Sequence, residues 1–243
     1  MKFILLMLFP FLGTTIGSFF VFFVRKNINK RMENIMIGLS SGVMLSASLW
    51  SLLIPSLEFS NHLGCNKWIP PIFGFILGII ALLLIDKIVC NFQNNKILMP
   101  LVVTIHNIPE GLVVGILIVN AVVNNNLESY MSALTLSVGI AIQNIPEGAI
   151  ISLSLNSKKT SKFKSFLLGV LSGAVEPLSI LLTLVFMKII STILPYSLSF
   201  ASGAMIYVVI EELLPSGYQK SSKILIISFS IGFIIMMFLD IVF

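Results

Sequence analysis

Long apolar runs separated by short polar segments dominate this 243-residue chain. Eight of the runs are long enough to cross a bilayer core as helices, which takes about 20 residues each. They cover residues 3–24, 34–57, 68–90, 97–123, 129–155, 165–190, 197–215 and 223–243, and we number them helices 1 to 8 in chain order. The pattern predicts an all-α integral membrane protein whose single transmembrane domain spans 1–243.

Composition and charge support this prediction. The chain is 57% hydrophobic and only 10% charged, which no soluble domain class matches. Twelve of its 15 basic residues fall in or beside the links after helices 1, 3, 5 and 7: Arg25, Lys26, Lys30, Arg31, Lys87, Lys96, Lys158, Lys159, Lys162, Lys164, Lys220 and Lys223. Basic residues mark cytoplasmic loops. We therefore expect an inner or plasma membrane protein with both termini outside, in contact with the lipid bilayer and with no nucleic-acid partner.

A seven-residue motif occurs in two neighbouring helices. Helix 4 contains Ile-His-Asn-Ile-Pro-Glu-Gly at 105–111, and helix 5 repeats it 37 residues later at 142–148 with Gln143 in place of the histidine. Helix 6 adds a third intramembrane carboxylate at Glu176, followed by Pro177. An ionised carboxylate inside a bilayer costs at least a few kcal/mol, so three of them at about one depth predict a functional site.

The spacing within the motif predicts a metal site on facing helices. Each helical residue advances about 100°, so Glu110 lies between His106 and Asn107 on the surface of helix 4, and helix 5 repeats the arrangement. Two such helices could hold two adjacent cations bridged by their carboxylates. The candidate ligands are His106, Asn107, Glu110, Gln143, Asn144, Glu147 and Glu176.

The chemistry of this set favours a divalent transition metal. Clustered carboxylates repel one another, and no Lys or Arg lies at this depth to neutralise them, so a divalent cation is the natural counter-charge. Imidazole, carboxylate and carboxamide together suit first-row divalent ions. Zn2+ is the leading candidate, ahead of Fe2+, Mn2+ and Cd2+, and no catalytic cofactor is expected. The structural alternative is that the Asn and Gln side chains only hydrogen-bond between helices.

Two weaker patterns concern packing. Helix 1 carries a small-residue stripe at 13–17, which predicts close helix packing. Ser-Gly-Val-Met at 41–44 of helix 2, followed by Pro55, matches Ser-Gly-Ala-Met at 202–205 of helix 7, followed by Pro215. This match predicts an inverted repeat that relates helices 1–3 to helices 6–8.

With these motifs, the chain resembles the ZIP family of divalent-metal transporters, in its compact prokaryotic, GufA-like branch. The resemblance rests on His-Asn-x-Pro-Glu-Gly in helix 4, the Pro-Glu-Gly copy in helix 5, the Glu-Pro of helix 6 and eight helices with both ends outside. It implies a 3+2+3 arrangement of the helices, with a two-metal centre in the transport path.

The resemblance also implies individual ligands. It assigns the first metal position to His106, Glu110, Gln143 and Glu147, with Met44 as a sulfur ligand, and the second to Asn107, Glu110, Asn144, Glu147 and Glu176. Glu211 and Glu212 would form an exit site near the cytoplasm, and Asp240 would line the outer entrance, although all three also fit plain interfacial carboxylates. Many relatives carry a second histidine where this chain has Gln143. Because a neutral amide binds metal less tightly, we expect a broader or shifted metal selectivity.

The predicted function is import of divalent transition metals into the cytoplasm, without enzymatic activity. No phosphate-binding Gly-rich loop is present, so gradients would drive transport. Two alternatives stay open at this point: a proton- or sodium-coupled carrier of an organic solute, and an intramembrane metallohydrolase that uses the same residues. The sequence does not determine the oligomeric state, and a homodimer is compatible with it.

Overall fold

The computed structural model describes residues 2–23, 29–90, 95–157, 160–217 and 223–242. Within these ranges every regular element is helical, and no strand occurs. Eight helices of this described part are long and apolar enough to cross a membrane. The all-α membrane class and the number of spans are therefore confirmed.

The eight spans alternate with short connections. The first four are helix 1 at Lys2–Phe19 with a 3-10 turn at Phe20–Phe22, helix 2 at Lys30–Ala47 continued by Ser48–Leu53 and Ile54–Phe59, helix 3 at Ile69–Cys90, and helix 4 at Asn95–Asn124. The last four are helix 5 at Leu127–Ser157, helix 6 at Lys162–Gly173 and Val175–Val185, helix 7 at Leu194–Val208 continued by Val209–Leu213 and Leu214–Gly217, and helix 8 at Lys223–Val242. Short helices at Asn61–Asn66 and Met187–Thr192 precede helices 3 and 7.

Helices 2 and 6 depart from the apolar runs for local reasons. Helix 2 begins at Lys30, earlier than the apolar run at 34, because the Asn29 side chain caps it by accepting a hydrogen bond from the Arg31 amide at 3.2 Å. Polar residues can occupy such a first turn, which hydropathy alone does not reveal. Helix 6 ends at Val185, and the apolar residues that follow form a separate short helix.

Helices 2 and 7 share a wide turn. Each contains a π-helical segment, at Ser48–Leu53 and Val209–Leu213, just before the short helix that holds Pro55 or Pro215. Proline lacks an N–H, and its ring displaces the carbonyl four residues earlier. A π turn accommodates both changes. The two stretches that match in sequence therefore also share an unusual backbone.

The spans pack in four close pairs: helix 2 with 8, helix 3 with 7, helix 1 with 5, and helix 4 with 6. Helix 5 also contacts helix 2, and helix 4 contacts helix 7. This set of pairs is unchanged when helices 1 and 6, 2 and 7, 3 and 8, and 4 and 5 are exchanged. An inverted repeat would produce such a pattern, but the repeat itself and the 3+2+3 arrangement stay predictions.

Glycines bring the backbones of two pairs into direct contact. Gly42 of helix 2 lies against the carbonyl of Phe229 on helix 8, and Gly78 of helix 3 lies against the carbonyl of Phe200 on helix 7. A Cβ at either glycine would collide with that backbone. Small residues have this role in membrane helices, where close packing replaces the hydrophobic effect.

The bundle is apolar outside, and its interior contains both apolar and polar side chains. Helices 3 and 8 are the least buried spans and expose large apolar side chains such as Ile76, Leu83, Ile234 and Phe238. Among the described spans, the Asn107–Asn124 part of helix 4 is the most buried. Lipid replaces water around such a surface, so the buried polar residues of helices 4, 5 and 6 depend on partners inside the bundle.

The turn between helices 4 and 5 is shorter than the gap, residues 124–128, between the two apolar runs. Helix 4 extends through Asn124, and helix 5 begins at Leu127. Asn125 has a φ of 48°, a left-handed conformation that Asn tolerates better than most residues. The Asn126 side chain accepts a hydrogen bond from the Ser129 amide at 2.9 Å and so caps helix 5. The resulting antiparallel pair sets the two copies of the motif beside each other.

Candidate metal centre

Five side chains with an amide or carboxyl group, from helices 4, 5 and 6, are almost completely buried inside the bundle. They are Asn107, Glu110, Gln143, Asn144 and Glu176, each at most 1% exposed to solvent. All five belong to the predicted ligand set. Hydrogen bonds between neighbouring helices link them in pairs or to the backbone, as described below.

Gln143 connects helix 5 to helix 4. Its amide nitrogen donates to Oε1 of Glu110 at 2.6 Å. Helical spacing alone places Glu110 between His106 and Asn107 of its own helix. Glu110 instead has its partner on the facing helix, because the two helices are in contact and the Gln side chain is long enough to span them.

Glu176 is held by two helices at once. The amide nitrogen of Asn144 on helix 5 donates to Glu176 Oε1 at 2.9 Å. The hydroxyl of Thr14 on helix 1 donates to the same oxygen at 3.0 Å. Helix 1 carries none of the predicted ligands, so sequence reasoning missed this contact and assigned its small-residue stripe to packing alone. The stripe does pack, since Gly13 and Gly17 lie against the backbone of helix 5.

A break in helix 6 presents Glu176 to the centre. Pro177 cannot donate to the carbonyl of Gly173, and its ring excludes that carbonyl from the usual position. The helix is interrupted at Ala174, so Glu176 falls in the first turn of the second segment. The positive end of a helix dipole favours a carboxylate there.

Each of the five side chains has one oxygen without a hydrogen-bond partner. These atoms are Asn107 Oδ1, Glu110 Oε2, Gln143 Oε1, Asn144 Oδ1 and Glu176 Oε2. The remaining polar atom of Asn107 is engaged, because its amide nitrogen donates to the Ser172 carbonyl at 3.0 Å. A buried oxygen without a partner costs about 1–3 kcal/mol, so five in one site call for a missing partner. Carboxylate and amide oxygens are suitable ligands for a divalent cation.

The charges of the three carboxylates reinforce this interpretation. Glu147 and Glu176 lie close enough to Glu110 for their charges to repel it, and Glu147 is half-buried. Among the side chains that the structure describes, no three His, Cys, Asp or Glu groups are placed to hold a metal by themselves. Within the described side chains, the amide oxygens of the centre would therefore add ligands beside the carboxylates.

The remaining predicted ligands have different settings. The side chains of His106 and Glu212 lie outside the described part of the chain, although both residues belong to described helices. Met44 is 1% exposed, and Ser40, one turn earlier on helix 2, donates to the Gln143 carbonyl at 2.7 Å. Met44 therefore lies on the face of helix 2 that is turned toward helix 5. Glu211, in contrast, is exposed in the π segment of helix 7.

Asp240 lines a polar cavity of about 350 Å3. Its Oδ1 accepts a hydrogen bond from Ser51 at 2.6 Å, and its Oδ2 has no partner. The cavity lies at the end of the bundle where helix 8 finishes and helix 5 starts, and it also contains Glu58, Glu128 and Asn120. Sequence reasoning missed Glu58, Glu128 and Asn120 because none of them belongs to a recognisable sequence motif.

Comparison with known proteins decides the family. Residues 89–240 match the family described as ZIP Zinc transporter, which is more than half of the chain. The chain belongs to the ZIP family. The ZIP chain is 29% identical to zinc transporter ZIP11 of Xenopus tropicalis, over 94% of this chain and 93% of that protein. It is 30% identical to zinc transporter ZupT of Chlorobaculum parvum, over 93% and 91%, and 28% identical to zinc transporter GufA of Myxococcus xanthus, over 81% of each.

These matches confirm the resemblance drawn from the motifs, including its GufA-like branch. They also confirm that this ZIP protein is a multi-pass divalent-metal permease and not an enzyme, with metal ions as transported substrate and no catalytic cofactor. The organic-solute carrier and the metallohydrolase are thereby disfavoured.

Proposed function

We propose that this ZIP protein imports divalent transition-metal ions into the cytoplasm, with Zn2+ as its main cargo. The observation that carries the proposal is the group of five buried amide and carboxylate oxygens without partners on helices 4, 5 and 6. The names of the similar proteins, all zinc transporters, favour Zn2+ over the other candidates. All five oxygens come from one chain, so the site does not require the homodimer that the sequence allows.

The hydrogen bonds support a division into two metal positions. Gln143 donates its short hydrogen bond to Glu110, whereas Asn144 donates to Glu176, so the two amides of helix 5 have different carboxylates as main acceptors, although Asn144 also lies beside Glu110. We assign His106, Gln143 and Met44 to the first metal position and Asn107, Asn144 and Glu176 to the second. Glu110 and Glu147 would bind both metals and so bridge the two positions. Each amide would offer its free oxygen to a metal while its nitrogen keeps the neighbouring carboxylate in place.

We further propose a route through the bundle. With both termini outside an inner or plasma membrane, the cavity that contains Glu58, Glu128 and Asp240 opens to the exterior. Its carboxylates would concentrate cations before they enter the centre. Glu211 and Glu212 on helix 7 would receive the ion at the cytoplasmic end. Rocking of the helices that hold the centre against the rest of the bundle would alternate access.

Metal-resolved uptake tests the proposal. Proteoliposomes containing the parent protein should take up Zn2+ fastest. They should also take up Fe2+, Mn2+ and Cd2+, at rates that are lower than for Zn2+ and similar to one another, because the amide of Gln143 distinguishes only weakly between these metals. Gln143→His should increase the ratio of the Zn2+ uptake rate to the rates for the other metals by about tenfold, since imidazole suits borderline metals better than an amide does. The measurement is the initial uptake rate of each metal offered alone.

Protein-free liposomes and folded Glu176→Gln protein are the controls for that experiment. Absence of uptake of all four metals by folded parent protein would contradict the proposed function. Unchanged selectivity in Gln143→His would contradict the assignment of Gln143 to the first metal position while leaving metal import in place.

Thiol labelling tests the orientation. Ser132 lines the cavity and is exposed, so Ser132→Cys in a background with Cys65→Ser and Cys90→Ser should react with an impermeant thiol reagent added outside intact cells. Labelling should also reduce metal uptake at least about twofold, since the added group narrows a charged entrance. Labelling that occurs only after the membrane is permeabilised would place this cavity, and both termini, on the cytoplasmic side.

A further inference from the structure

Thr14 of helix 1 contacts the proposed centre from outside the ligand set. The side chain is 1% exposed, and its hydroxyl donates to Glu176 Oε1 at 3.0 Å across 162 residues of sequence. Helix 1 supplies no candidate ligand. A contact from this helix therefore calls for an explanation other than metal binding.

The hydroxyl of Thr14 favours the carboxylate over its usual partner. Ser and Thr in buried helices commonly donate to the carbonyl four residues earlier. The next residue, Thr15, does so, with its hydroxyl 2.8 Å from the Phe11 carbonyl. For Thr14 the equivalent carbonyl, that of Pro10, is 3.5 Å away, at the limit for a hydrogen bond. A hydroxyl has a single proton, and a bond to a charged acceptor is the stronger one.

Two glycines fix Thr14 at this position. Gly148, directly after Glu147 on helix 5, lies against the backbone carbonyl of Thr14. Gly173, three residues before Glu176 on helix 6, lies against the Thr14 side chain. A Cβ at either glycine would collide with Thr14. Helix 1 is thereby held in the register that brings the hydroxyl to the carboxylate.

The consequence is an asymmetric carboxylate. Oε1 of Glu176 accepts hydrogen bonds from both Thr14 and Asn144, whereas Oε2 has no partner. Asn144 is itself a proposed ligand and would respond to the metal. Thr14 would not, so its hydroxyl gives Glu176 an anchor that stays in place whether or not an ion is bound.

We propose that Thr14 is a positioning residue, which holds Glu176 so that Oε2 remains available to the second metal position. This inference rests on the proposed function. Partners of metal ligands of this kind alter metal affinity when they are removed, because the ligand loses its fixed orientation.

Three substitutions on helix 1 test the role of Thr14. Thr14→Val keeps the shape and removes the hydroxyl, and it should raise the KM for Zn2+ uptake by proteoliposomes about tenfold with a maximal rate within about twofold of the parent. Thr14→Ser restores the hydroxyl and should return the KM to within about twofold. The matched control, Thr15→Val, removes a hydroxyl that bonds only within helix 1 and should leave the KM unchanged.

Thermal unfolding in detergent separates positioning from folding. Without metal, Thr14→Val should unfold somewhat below the parent's temperature, because one buried hydrogen bond is lost. Zn2+ should then raise the unfolding temperature of Thr14→Val by less than it raises that of the parent, as weaker binding requires. An unchanged KM together with an unchanged Zn2+ effect would overturn the inference, and so would a Thr14→Ser variant as impaired as Thr14→Val.

Glu176→Gln distinguishes this inference from the proposed function. If Glu176→Gln transports Zn2+ with the parent's KM, the metal position on helix 6 is wrong, and the role of Thr14 is wrong with it. If Glu176→Gln is impaired while Thr14→Val behaves as the parent, only the role of Thr14 is wrong.

Discussion

Replacing Glu110 by alanine is expected to lower Zn2+ uptake by at least about 100-fold, since even partners of metal ligands are worth 10- to 100-fold. Glu110 would bridge both metal positions, and its Oε1 is already held by Gln143 at 2.6 Å while its Oε2 is free for a metal. Glu110→Gln, which keeps the size and removes the charge, should be nearly as inactive. The measurement is initial uptake of Zn2+ by proteoliposomes containing equal amounts of folded protein.

In the absence of metal, Glu110→Ala and Glu110→Gln should be at least as stable to unfolding as the parent protein. An ionised carboxylate buried beside two others destabilises the metal-free protein, so its removal relieves repulsion. Glu33→Ala, which removes a carboxylate in the first turn of helix 2, is the control and should transport normally. Glu110→Ala protein that keeps more than half of the parent's uptake would refute the carboxylate centre.

The second large effect concerns folding. Gly148→Ala is expected to reduce the free energy of unfolding by about 1–3 kcal/mol, the usual cost of overpacking. The new methyl group would collide with the backbone carbonyl of Thr14, and a backbone cannot move aside unless all of helix 1 shifts. Thermal unfolding in detergent measures the loss, and Zn2+ uptake should fall with it because Thr14 moves away from Glu176.

Gly139 provides a matched control on the same helix. A Cβ there would meet the Sδ atom at the end of the flexible Met236 side chain, which can change rotamer. Gly139→Ala should therefore cost clearly less stability than Gly148→Ala. Equal losses in the two variants would mean that close contact between helices 1 and 5 is not what makes Gly148 necessary.

Much of the centre was predictable from local sequence. Asn107, Glu110, Gln143, Asn144 and Glu176 were all candidates, and the structure buries every one of them. They could be found because a polar residue inside a transmembrane helix carries a free-energy cost whichever helices surround it. Such a residue can therefore be recognised without tertiary information. The number of spans and the all-α class follow from the same contrast between apolar runs and polar links.

The assignment of partners was not predictable in this way. Helical spacing places Glu110 between His106 and Asn107 but does not show that its hydrogen-bond partner is Gln143 on helix 5. Asp240 also fitted an interfacial carboxylate at a helix end, and its place in a cavity with Glu58 and Glu128 depends on where helices 2, 5 and 8 end relative to one another. No periodicity within one helix encodes such relations.

The sequence by itself therefore determined which helices cross the membrane and which polar residues they carry, because hydropathy and helical spacing are properties of each segment alone. Only the tertiary structure decided which side chains form hydrogen bonds with one another. The bond from Thr14 to Glu176 shows why: it joins residues 162 positions apart and exists because Gly148 and Gly173 let helix 1 approach helices 5 and 6 closely. Contacts of this kind depend on how whole helices pack against one another, and the sequence pattern of a single helix does not predict them.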